Sequence, residues 1–100
     1  MTIRHVVMWQ VNGETPEEKA TNAQVIRDAL LPLLGRIPEI RALRLHDNLV
    51  PESRNADIIL VSEFDSLEDL RAYQVHPEHE AAAERIRAVS AQRMVGDWQD

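Results

Sequence analysis

Cysteine is absent from the 100 residues. That excludes disulfide frameworks, thiolate nucleophiles and thiolate metal sites, and it fits a reducing compartment, so a cytoplasmic location is expected. Basic residues are scarce: 11 against 17 acidic ones, a formal net charge of -6. Such a surface argues against nucleic acid and anionic membranes as partners. No long apolar run occurs. The longest stretch without an acidic or basic side chain other than histidine runs from His5 to Gly13, too short to span a bilayer. The opening "MTIRHVVMWQVNG" lacks the pattern of a signal peptide. There is no repeat, low-complexity tract or linker, so residues 1–100 read as a single domain.

What is present is periodicity. The hydrophobic fraction of 44% is ordinary for a folded protein. "TIRHVVMWQV" puts Ile3, His5, Val7, Trp9 and Val11 on one face and Arg4, Val6, Met8 and Gln10 on the other. Both faces carry apolar groups, which predicts an interior strand covered on both sides. Thr15 and Glu18 form a capping-box pattern with Pro16 at the first helical position, predicting a helix from Pro16 to about Leu34. Its buried stripe should be Ala20, Ala23, Ile26, Leu30 and Leu33, with Pro32 and Gly35 ending it.

"EIRALRLHDNL" reads as a half-exposed strand near an edge and "DIILVSEF" as a third strand. Ser66 and Asp69 open a second helix striped by Leu67, Leu70 and Tyr73 or Gln74. Pro77 then separates it from a third helix reaching about Val89, because His76 before a proline is disfavoured in helical geometry. "AQRMVGDWQ" closes the chain as a fourth strand. The order β-α-β-β-α-α-β is that of an α+β, ferredoxin-like split βαβ sandwich.

"IRHVVMWQV", the "IP" at Ile37 and Pro38, "RMVGDWQ" and above all "ADIILVSEFDSLEDLRAYQVHPEHEAAAERIR" resemble the stress-responsive dimeric α/β-barrel (Dabb) family. The resemblance covers nearly the whole chain, and its specific part is Ala56 to His79. It implies a ferredoxin-like protomer and a homodimer packed sheet against sheet. One branch of the family consists of cofactor-free plant polyketide cyclases. Carried over by motif, its general base would be His79, assisted by Tyr73 and near His5. Those residue types suit the chemistry. Neutral imidazole takes a proton near pH 7, and a phenol donates to a carbonyl oxygen as enolate charge develops.

The implied ligand is a hydrophobic small molecule with a carbonyl group, and no cofactor is required for an intramolecular aldol closure. Val7, Trp9, Ile26 and Leu30 are the expected apolar contacts. Where the cyclases carry polar or aromatic groups on the first helix, this chain has Ile26, Leu30 and Leu33. The departure points to a more apolar or smaller pocket and away from a plant polyketide. The same resemblance also implies two other readings: a non-catalytic stress or assembly protein, and a cofactor-free monooxygenase. Histidine caps and core tyrosines serve structure alone in many proteins, so an open cleft is the discriminating observation. A transition-metal site is not expected. His76 and His79 are three apart, but Pro77 puts them off a common helical face. A surface Mg²⁺ or Ca²⁺ site held by carbonyls would leave no such pattern.

Overall fold

The computed structural model describes all residues from Met1 to Asp100. Its elements are β1 (Ile3–Val11), α1 (Pro16–Leu30), a 3-10 turn (Leu31–Leu33), β2 (Ala42–Asp47), β3 (Ile58–Phe64), α2 (Leu67–Val75), α3 (Pro77–Val89) and β4 (Ser90–Gln99). The four strands form one antiparallel sheet in the order β2-β3-β1-β4. This is the split βαβ topology that the periodicity predicts, with β1 interior and β2 on an edge.

Each boundary has a local cause. Thr15 Oγ1 accepts from the Glu18 backbone N–H at 3.1 Å, and Pro16 fills the first turn of α1. The reciprocal half of the box is displaced by one residue, since Glu18 accepts from the Glu14 N–H at 3.2 Å. Helix α1 stops at Leu30 rather than Leu34 because Pro32 has no N–H to continue the ladder, and a 3-10 turn follows. Gly35 then takes a φ of 101°, open to glycine at little steric cost. Strand β2 is shorter than the apolar pattern suggests. Residues ahead of it make a turn in which the Ile40 N–H bonds to the Ile37 carbonyl at 3.2 Å. Pro77 separates two helices. His76 between them is extended, at φ -63° and ψ 136°, and its Nδ1 accepts from the Glu78 N–H at 3.1 Å. One histidine thus ends α2 and caps α3.

The helices cover one face of the sheet. Ile3, Val7, Ile58, Leu60 and Phe64 from the strands pack under Ile26, Leu30, Leu70 and Ile86. Burying each such side chain stabilises the fold by roughly 1.5–3 kcal/mol. Ala20, expected in the α1 stripe, is exposed, and Ala29 takes an inner position instead. In α2, Tyr73 rather than Gln74 is buried, and Leu67 lies outside the core. No helix is long and apolar enough to cross a membrane.

The opposite face has no cover within the chain. Val6 pairs with Val61 and Met8 with Ile59 across β1 and β3. On the other side Met8 pairs with Met94 and Arg4 with Trp98. Met94 is 68% and Trp98 47% exposed, so the apolar surface is contiguous and wet, as at a protein–protein interface. Strand β4 is also an unshielded edge, the kind that proteins normally cover.

Two predictions follow from this architecture. Light scattering at micromolar concentration should return a homodimer mass, and Val61→Asp should shift it toward the monomer; a monomeric wild type would contradict the interface. His76→Ala should destabilise the fold by about 1 kcal/mol, because α3 loses its cap. His76→Asn should retain most of that stability in a denaturant titration.

Candidate functional site

The inner face of β1 carries one polar residue among apolar ones. His5 is 2% exposed, and its Nδ1 lies 2.5 Å from Asp97 Oδ1. Asp97 stands directly opposite His5 in the β1–β4 register. A carboxylate only accepts, so the Nδ1–H of His5 is the donor in this bond. From the other side the Ser62 hydroxyl donates to the His5 carbonyl at 3.1 Å, which ties β3 to the same point.

Helices α2 and α3 bring two further groups. Tyr73 comes from the end of α2 and His79 from the first turn of α3. The ring centroids of Tyr73 and His79 are 4.4 Å apart, and those of Tyr73 and His5 are 6.2 Å apart. Phe64 packs against Tyr73 with ring centroids 5.1 Å apart. Burial pushes the Tyr73 phenol up to about 12, against a smaller opposing pull from Arg93. The phenol therefore stays protonated and is a hydrogen-bond donor near pH 7.

His79 Nδ1 lies 3.0 Å from the Gln74 carbonyl oxygen. A carbonyl only accepts, so Nδ1–H donates and Nε2 of the neutral ring is left with the free lone pair. Burial holds the His79 imidazole below its ordinary proton affinity; His5 and Arg93 add to this, while the Gln74 bond and Glu80 act the other way. The half-buried ring is thus a neutral base near pH 7.

These side chains line a cavity of ≈ 270 Å³ between the sheet and the helices. His5, Tyr73 and His79 all border it, as do Val7, Trp9 and Leu30. Ile26 does not; it is 0% exposed and wholly within the core, one helical turn before Leu30. The sequence reading also passed over Asp97, Arg87, Arg93 and Ser90. For Asp97 and Arg93 strand β4 holds the reason: antiparallel pairing with β1 sets Asp97 opposite His5 and Arg93 opposite Trp9, while Arg87 comes from the end of α3. That register was readable only once the two strands were known to be neighbours. Trp9 and Arg93 also border an adjoining groove of ≈ 420 Å³. No group of three or more histidine or carboxylate side chains gathers in a metal-binding arrangement.

Comparison with known proteins agrees with this architecture. The family model described as "Stress responsive A/B Barrel Domain", Dabb, matches residues 3–100. A stress-response A/B barrel domain-containing protein of Arabidopsis thaliana is 24% identical over 96 residues, which cover 96% of this chain and 46% of that protein. The chain therefore spans about half the length of this curated relative. A dimeric protein of ferredoxin-like fold from Bacteroides fragilis superposes with a TM-score of 0.86 at 30% identity, covering 99% of this chain and 96% of the other. A hydroxynitrile lyase from Passiflora edulis shares the fold, with a TM-score of 0.81 at 16% identity and coverage of 97% and 91%.

The electrostatics of the site give a third prediction. His79 binds its proton less tightly in the fold than the ordinary value of 6.5, so its NMR titration midpoint should lie below that value. Stability linked to His79 is then fully present above pH 6.5 and is lost as pH falls toward the folded midpoint. His79→Gln should flatten that part of the stability profile, and a midpoint above 6.5 would contradict the assigned environment.

Proposed function

The chain belongs to the stress-responsive A/B barrel (Dabb) domain family, and on that premise we propose that its cavity is a cofactor-independent acid–base site for a hydrophobic carbonyl compound. The observation that carries the reading is the Gln74–His79 hydrogen bond. It supports a proton on Nδ1 and a free lone pair on Nε2 that can act as the base, with the Tyr73 ring 4.4 Å away. A base and a donor of this kind are the pair that enolisation needs.

The step is as follows. Nε2 of His79 takes a proton from the carbon beside the carbonyl, and that C–H bond breaks. The electron pair moves into the enolate, whose oxygen accepts from the Tyr73 hydroxyl. The enolate carbon can then attack a second carbonyl of the same molecule, forming a C–C bond, and His79 returns its proton to the new alkoxide. Atoms and electrons balance without an external oxidant or reductant. His5, held by Asp97, supplies a second polar edge at the cavity, and Val7, Trp9 and Leu30 supply the apolar walls.

The volume of ≈ 270 Å³ supports a compact ligand, below the roughly 300–1,000 Å³ of sites for drug-sized molecules. An open cavity beside these groups favours ligand binding over the purely structural reading. The fold itself carries several activities and does not choose among them.

Deuterium exchange beside the carbonyl, followed by NMR in D₂O, tests the proposal on a panel of ketones and oxo acids with apolar tails. His79→Ala should slow exchange by about 10²–10⁴-fold, and Tyr73→Phe by about 10²-fold or more. The acid limb of the wild-type pH–rate profile should lie below 6.5, where His79 takes up its proton. Exchange that is no faster in wild type than in His79→Ala would remove His79 as the base.

A further inference from the structure

The charged side chains that line the cavity run against the charge of the protein, and the neighbouring Asp97 carboxylate is already bonded to His5. The chain carries 17 acidic residues and a net charge of -6, yet no aspartate or glutamate lines the cavity. Two arginines do, Arg87 near the end of α3 and Arg93 on β4. Neither takes part in any of the chain's ion pairs, a state they share with Arg44, Arg54, Arg71 and Arg85, so both guanidiniums at the cavity are free to meet a ligand. Arg93 is near enough to Tyr73 and His79 for its charge to act on both.

A second, independent feature lies on the same wall. Trp9 is 3% exposed, and its Nε1–H is the one buried side-chain polar atom without a hydrogen-bond partner. An indole N–H only donates. Leaving such a donor buried and unpaired is costly, and an acceptor oxygen in the cavity would relieve it. Arg93 is the register partner of Trp9, so cation and orphan donor belong to one patch.

From this juxtaposition we infer that the cavity takes an anionic ligand: a small oxo acid whose carboxylate is held by Arg93 and Arg87 with the Trp9 N–H as a further donor. The inference rests on the acid–base reading above and specifies its substrate class. The carboxylate sits at the cationic end, and the carbonyl lies toward Tyr73 and His79. The apolar remainder lies along Val7 and Leu30. A guanidinium offers two parallel N–H donors to a carboxylate, which makes arginine the fitting residue type here.

The test compares acids with their neutral esters. Phenylpyruvate and benzoylpropionate, each beside its methyl ester, are titrated into the wild-type protein by calorimetry. NMR of the His79 ring and the Arg93 Nε–H reports whether the ligand is in this cavity or the adjoining groove. At least one acid should bind about tenfold or more tightly than its ester, with an affinity that falls as salt rises. Acid binding should also raise the His79 titration midpoint, because a negative charge arrives nearby; ester binding should not. Arg93→Ala should abolish the preference, Arg93→Lys should restore part of it, and Arg87→Ala should weaken it. Both arginines are exposed, so these variants should fold, which circular dichroism checks. Equal binding of acid and ester, a preference for the ester, or no binding by either acid overturns the inference. So does perturbation confined to the groove. The acid–base reading fails separately, by wild-type deuterium exchange that His79→Ala leaves unchanged.

Discussion

The missing N–H of Pro77 is the constraint on which the site depends. It prevents α2 and α3 from joining, and it leaves the last carbonyls of α2 without helical partners. Gln74 owns one of those carbonyls, and His79 uses it to fix its own tautomer. His76 is pushed into extended geometry by the same proline, and in that position it caps α3. The break also lets Tyr73 from one helix and His79 from the next lie ring against ring. A continuous helix would satisfy the Gln74 carbonyl internally and carry His79 away from that bond.

The sheet divides the remaining tasks between its faces. Along β1, odd-numbered residues from Ile3 to Val11 are buried under the helices, and His5 among them meets the cavity. Even-numbered residues point the other way, where Val6 and Met8 join Val61, Ile59 and Met94 in an apolar surface. The dimeric state of the similar Bacteroides fragilis protein fits a partner on that surface. Such a partner lies across the sheet from the cavity, so assembly and ligand access need not compete. Strand β4 belongs to both sides. Its Arg93 and Asp97 share the face of Trp9 and His5, while Met94 and Trp98 share the face of Met8 and Arg4.

Burial does the electrostatic tuning within the cavity. It keeps the Tyr73 phenol protonated to about 12 and keeps His79 neutral. Both effects come from the same apolar surroundings, acting on opposite charge types: one group resists losing a proton and the other resists gaining one. A donor and a base can then stand side by side at neutral pH without exchanging a proton.

The fold was largely legible in the residues, because strand alternation and helix caps are local. Thr15, Pro16, Ser66 and Pro77 set helix starts within a turn's reach of their own backbone. Errors arose where a pattern outran its hydrogen bonds. Residues ahead of β2 look like strand but turn at Ile37 and Ile40, and Ala20 fits the α1 stripe yet lies past the edge of the core. The histidines and the tyrosine of the candidate site are legible as a motif, and the chemistry open to them follows from residue type. Their geometry did not. Asp97 on His5, Arg93 against Trp9, and the exclusion of Ile26 from the cavity each depend on which strand neighbours β1 and how α1 is rotated above it. Sequence by itself determined the elements and the kinds of group available. Tertiary pairing between residues more than eighty positions apart decided which groups of β1 and β4 meet, because nothing in the local chain records what lies across the sheet.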